Sequence, residues 1–161
     1  MSPNTEVAFT LVPSPLDELL LVGGEQGLAG VYTTGHRRGP LVRDGWRRDP
    51  ALFVEARRQL ESYFALELGD FDLTLVPRGT PWQLRVWEAL REIPYGATAT
   101  YREIAARLGA DGAARAVGHA NARNPLSVVV PCHRVVGANG TLAGYGGGVA
   151  RKRWLLDHER G

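Results

Sequence analysis

The stretch TYREIAARLGADGAARAVGHANAR, residues 100–123, decides how this chain is to be read. Two short segments with helical apolar spacing flank the break GADG (109–112). Ile104, Ala105, Leu108, Ala113, Ala116 and Val117 recur where two helices would pack face to face, the pattern of a helix-turn-helix. The second helix is poor in tools for reading sequence. A helix that reads the major groove carries long polar side chains to the base edges, whereas this one offers Ala113, Ala114, Ala116, Gly118, Ala120 and Ala122. Small side chains thin a cylinder that is usually about 10–12 Å across, which suits a widened minor groove, about 6 Å across at rest. Sequence-tolerant contact follows, with Arg115 set among the alanines to wedge into a base stack. An alanine-rich core helix bearing one surface arginine is the competing reading.

Working outward, PWQLRVWEALREI (81–93) carries Trp82, Val86, Trp87 and Leu90 at helical spacing, and ARKRWLLDHER (150–160) reads as a closing helix. Upstream, VAFTLVP (7–13), ELLLVGG (18–24) and GLAGVYTT (27–34) are short runs divided by Pro, Asp and Gly, an antiparallel meander. DPALFVEARRQLESYFALEL (49–68) follows as one amphipathic helix. Asp49 serves as its N-cap, Pro50 as its N1 proline, and Leu52, Phe53, Ala56, Leu60, Tyr63 and Phe64 form its apolar face. Residues 34–48 lack periodicity and read as an exposed loop. The fold class is therefore α+β: a small sheet-and-helix domain over residues 1–76, then a mainly helical domain over 77–161, divided at Pro77.

The net charge of +2 conceals an asymmetry. Residues 1–76 hold 7 arginines against 11 acids, a net of −4; residues 77–161 hold 12 basic residues against 6 acids, a net of +6. The basic part calls for an anionic partner, nucleic acid first among them. A single cysteine excludes an internal disulfide and a cysteine-based zinc site, which points to a reducing cytoplasmic setting. No apolar run approaches the roughly 18 residues that span a bilayer, so no membrane partner is expected.

That cysteine lies in NPLSVVVPCHRVVG (124–137), where LSVVV reads as a short extended stretch. A free thiol is mostly protonated at neutral pH and needs a neighbouring base or positive field. His133 is adjacent, but neighbouring side chains on a strand point to opposite faces, so Cys132 and His133 cooperate only if the chain turns at Pro131 or a water bridges them. The histidine in turn needs an acceptor to orient it. After Cys132 the only carboxylates are Asp157 and Glu159, either of which can complete the relay.

NPLSVVVPCHRVVG, the alanine-rich second helix, RVWEALREIPYGATATYREIA and GYGGGVARKRWLLDHE together closely resemble the O6-alkylguanine-DNA alkyltransferases, the methylated-DNA–protein-cysteine methyltransferases. The resemblance covers essentially the whole second half; the first half matches in layout. It implies a ribonuclease-H-like first domain, a winged-helix-like second domain, and direct, stoichiometric DNA repair. One alkyl group would pass irreversibly from O6-alkylguanine, and from O4-alkylthymine, to Cys132 after minor-groove binding and base flipping. The resemblance implies that His133 takes the thiol proton through a water and that Glu159 orients His133. Asn124 holds the turn before the active-site segment, and Tyr101 crowds the target phosphate and protonates the departing guanine. Arg115 replaces the flipped nucleotide, with Thr100, Ala114, Ala116 and Gly118 also against DNA. The carbonyls of Cys132 and Val135, together with Ser127, Tyr145 and the backbone of Gly146, form the base pocket.

No cofactor and no metal are implied, since the cysteines that hold zinc in some relatives are missing. Ser127 stands where mammalian members carry proline, and Gly146 where they carry serine. The partner is double-stranded alkylated DNA with little sequence specificity. The protein would be a monomer in solution, which leaves room for cooperative loading on DNA. Two other readings stay open from the residues alone: a helix-turn-helix binding module with an incidental thiol, and a cysteine hydrolase built on Cys132, His133 and Glu159.

Overall fold

The computed structural model describes residues 7–33, 42–142, 145 and 148–161. Its first part is a meander of β1 (Ala8–Val12), β2 (Leu19–Gly24) and β3 (Gly27–Thr33), antiparallel in sequence order. A two-residue strand, β4 (Arg47–Arg48), adds parallel to β1, giving the order β3-β2-β1-β4. Alternation along β1 buries Ala8, Thr10 and Val12 and leaves Phe9 and Leu11 partly open, as a strand with one face on the core requires. Of the expected loop over 34–48, residues 34–41 lie outside the described residues and 47–48 are β4.

The single helix expected over 49–68 is shorter. A 3-10 turn at Pro50–Phe53 leads into α1 (Val54–Phe64). The helix ends there because the chain turns back: Glu67 N–H donates to the Ser62 carbonyl, with Leu66 in the left-handed region at φ 65. Asp49 occupies the N-cap position without capping; its carboxylate accepts from Arg47 at 2.9 Å instead. Phe53, Ala56, Leu60 and Tyr63 form the buried stripe, whereas Leu52, expected on it, is exposed.

The second part holds α2 (Pro81–Leu90), α3 (Tyr101–Arg107), α4 (Ala114–Ala122) and α5 (Val149–Arg160). Capping boxes start two of them: Thr80 with Gln83 at α2, and Thr100 with Glu103 at α3. β5 (Ala99–Thr100) pairs in parallel with β6 (Val135–Val136), tying the start of α3 to the segment after the cysteine. The helix pair expected over 100–123 is present as α3 and α4. Ala116, expected between them, is exposed instead; its carbonyl accepts from the Trp82 indole at 3.2 Å, while Ala120 and Val117 take the buried positions.

LSVVV is not a strand. Leu126 makes one parallel bridge to Val31, after which the chain turns, with Val128 at φ 72. The backbone folds back on itself, with Val129 N–H donating to the Ser127 carbonyl at 2.8 Å and Val130 N–H to the Leu126 carbonyl at 2.9 Å, and all three valines are buried, at 1, 6 and 2% exposure. β3 clamps this turn: Val31 N–H donates to the Pro125 carbonyl at 2.8 Å and Ser127 N–H to the Val31 carbonyl at 3.1 Å. One core runs through both parts, joining Leu21, Val31 and Tyr63 to Trp87, Leu126 and Leu155. Among the described residues no helix is long and apolar enough to cross a membrane.

Candidate active site

Cys132, His133 and Arg134 form a single 3-10 turn after Pro131. At three residues per turn their side chains fan out about 120° apart, so the chain does turn at Pro131. Each side chain meets a different partner. Asn124 fixes the turn from behind: its amide nitrogen donates to the Val130 carbonyl at 3.0 Å and its oxygen accepts from Leu126 N–H at 3.0 Å. Asn121, which the sequence did not mark, donates to the Cys132 carbonyl at 3.3 Å.

α5 delivers Glu159, not Asp157, which is exposed. His133 Nε2 lies 2.7 Å from Glu159 Oε2 with both side chains buried. Arg134 spans the same carboxylate, Nε to Oε1 at 2.7 Å and Nη2 to Oε2 at 3.0 Å, and gives Nη1 to the Ile93 carbonyl at 2.7 Å. Tyr63 of α1 donates its hydroxyl to Oε2 at 2.6 Å. Burial opposes a charge on Glu159, but donors from His133, Arg134 and Tyr63 outweigh it and hold the carboxyl well below the usual carboxylate range.

An ionised Glu159 only accepts, so the proton of neutral His133 sits on Nε2 and Nδ1 keeps a free lone pair. That Nδ1 is buried and has no hydrogen-bond partner among the described residues. Burial pushes the imidazole down, with Arg134 and Lys152 acting the same way and Glu159 only partly opposing. Burial pushes the Cys132 thiol up to about 11, against the Asn124 amide and the charge of Lys152. The resting groups at neutral pH are therefore a protonated thiol and a neutral imidazole on one turn.

Tyr101 opens α3 directly after its cap. Burial, then the facing Cys132, push its phenol up to about 12, so it stands protonated. Gly118 of α4 lies opposite the Tyr101 ring, where an added Cβ would sit 3.7 Å from the nearest ring carbon. Tyr145 is also buried, its phenol raised first by burial and then by Cys132, with the Ser127 hydroxyl close enough to oppose this. Val135 and Ser127 are buried beside them. The structure thus gathers Cys132, His133, Glu159, Asn124, Tyr101, Tyr145, Ser127 and Val135. Arg115 and Ala116 are exposed on α4, Ala114 and Thr100 are half-buried, and Gly146 lies outside the described residues.

Besides Asn121, three members of the site escaped the sequence reading. Arg134 sits inside PCHRV but had no assigned role, and Tyr63 was counted only as an apolar position. Lys152, the only lysine of the chain, is fully buried, with its amine 5.8 Å from the Tyr101 ring centroid. One signal was available: Lys152 precedes Glu159 by two helical turns and so shares its face. Two surface clefts of about 280 Å³ lie elsewhere, one between β6 and α5 and one beside Trp82, and neither is lined by Cys132.

Residues 81–161 match the family model described as 6-O-methylguanine DNA methyltransferase, DNA binding domain. A methylated-DNA–protein-cysteine methyltransferase of Methanosarcina acetivorans is 50% identical over 151 residues, covering 94% of this chain and 97% of that protein. The solved O6-methylguanine methyltransferase of Mycobacterium tuberculosis superposes with a TM-score of 0.86 at 47% identity, covering 96% of this chain and 93% of its own. The same organism's OGT in complex with DNA gives a TM-score of 0.88 at 48% identity, covering 95% and 92%.

Proposed function

Because the chain belongs to the methylated-DNA–protein-cysteine methyltransferase family, we propose that it repairs DNA directly, moving the alkyl group of O6-alkylguanine, and of O4-alkylthymine, onto Cys132. The observation that carries the reading is the buried His133–Glu159 pair beside the chain's only thiol, with imidazole Nδ1 free to accept a proton. A buried lone pair of this kind calls for a water. Through that water Nδ1 takes the thiol proton as the sulfur attacks, and Glu159 stabilises the imidazolium. One S–C bond forms and the O6–C bond breaks. Its electron pair passes into the guanine ring, which takes a proton from the Tyr101 hydroxyl; the tyrosinate recovers one from His133. The product is a thioether, and nothing in this arrangement hydrolyses it, so each molecule acts once.

DNA is met by α4. Ala114, Ala116 and Gly118 give it a slim edge for the minor groove, Thr100 before α3 also lies against DNA, and the +6 balance of residues 77–161 supplies sequence-independent attraction. Arg115, exposed on that edge, takes the place of the flipped nucleotide. The base then lies between Tyr145 and Val135, with Ser127 and the Gly146 backbone around it. The Cys132 carbonyl already accepts from Asn121 and from Val135 N–H, which leaves the Val135 carbonyl as the better acceptor for the exocyclic amine. The division into a ribonuclease-H-like part over 1–76 and a winged-helix-like part over 77–161 belongs to the same reading, as does a monomer in solution.

Incubation with a duplex carrying O6-methylguanine, followed by mass spectrometry of peptides, tests this. One methylene unit of added mass on Cys132, saturating at one equivalent, is the expected result. Continued turnover would make the protein a hydrolase, and an unmodified Cys132 a binding module.

A further inference from the structure

The Tyr63 hydroxyl reaches the relay from α1, 96 residues before Glu159, and donates to Oε2 at 2.6 Å. The same oxygen faces His133 Nε2 at 2.7 Å. An oxygen that satisfies one strong donor is a weaker acceptor for the next, so Tyr63 competes with His133 for it. The competition is not needed for aim: Arg134 already spans both carboxylate oxygens and is itself anchored on the Ile93 carbonyl. Nor does packing ask for it. Tyr63 is fully buried among Phe64, Phe71, Tyr95 and His158, ring against ring, where a phenylalanine would fill the same volume. What the hydroxyl adds is a hydrogen bond on the atom that stabilises the imidazolium.

We infer that Tyr63 is a positioning residue whose phenol moderates the pull of Glu159 on His133 and so keeps Cys132 a resting thiol until a substrate is seated. The inference rests on His133 and Glu159 acting as the proton relay proposed above. The other titratable and charged groups around this path are Arg134, Tyr95 and His158 facing Tyr63, Arg134 and Lys152 facing His133, and Lys152 with the phenols of Tyr101 and Tyr145 facing Cys132. A protein used up by one reaction gains from such restraint, because a permanently ionised sulfur would be consumed by any small electrophile.

The test is the pH–rate profile of iodoacetamide with the full chain; its single thiol makes the rate unambiguous. Tyr63→Phe removes the donor, and site-specific 3-fluorotyrosine at 63 strengthens it at nearly unchanged size, so the two variants test the same bond in opposite directions. With Tyr63→Phe the alkylation limb moves to lower pH and the rate at neutral pH rises about threefold, a fraction of what a hydrogen bond to a charge is worth. The fluorinated residue moves the limb the opposite way. An unmoved profile in both variants, or a slower reaction in Tyr63→Phe, overturns the inference. This assay uses no DNA. Wild-type protein that takes no methyl group from methylated duplex sinks the alkyltransferase reading alone, whereas an unmoved limb beside normal methyl transfer sinks the role of Tyr63 alone.

Discussion

Lys152 carries the least expected side chain of the site, a lysine without solvent. Burial pulls its amine down to about 8, with the facing Cys132 acting the other way. Unfolded, the same amine titrates near 10.4. Between those values the unfolded chain binds more protons than the folded one, so stability rises with pH across the window. Urea titrations at pH 8 and pH 10 on wild type and Lys152→Met check this: the gain seen in the wild type disappears in the variant. The same substitution slows Cys132 alkylation about tenfold, since a positive neighbour lost from a thiol costs about a pK unit of thiolate. Cys132 and His133 were legible in the sequence because PCHRV sets them side by side. The burial of Lys152 was not, because lysine is almost never fully buried, and its place two turns before Glu159 marks a shared helix face without marking burial.

At the scale of elements, helical patterning made α2, α3, α4 and α5 readable to within a few residues. The VVV run misled for a physical reason. A short continuous apolar run fits a fully buried strand and other buried segments alike, and here a turn with Val128 at φ 72 carries it. Thr100 was read as a DNA contact, and its visible work is the capping box, with Glu103 N–H on its hydroxyl at 3.1 Å and its own N–H on the Glu103 carboxylate at 2.8 Å. Thr100→Ala is expected to cost about 1 kcal/mol in a urea melt and to slow alkylation, because Tyr101 begins the turn that frays. Arg115 is exposed on α4 and makes no such contribution. Arg115→Ala therefore leaves reaction with free O6-benzylguanine unchanged while repair of duplex DNA slows. Equal loss on both substrates would assign Arg115 to the fold.

For the whole molecule, Glu159 is the knot. It binds α5 to the active turn through His133 and Arg134, and to α1 through Tyr63. Its carboxyl is held below the usual range in the fold, so the stability it lends is complete above the unfolded value of about 4.3 and drains away as pH falls through the folded one. Glu159→Gln is expected to lose about 3–5 kcal/mol, the cost of leaving a buried partner charge unmatched, and to flatten the acid limb of an ellipticity titration. A tie across 96 residues has no local signature, which is why the sequence read the two parts separately. The β3 clamp on residues 125–127 is another such tie, and it bears on synthesis. A ribosome issues these pieces in fixed order: sheet edge, then sulfur, then carboxylate. The seat exists before the nucleophile arrives, and the nucleophile before the carboxylate that holds its neighbouring imidazole, so the growing polypeptide carries its mercaptan ahead of the groups that surround it.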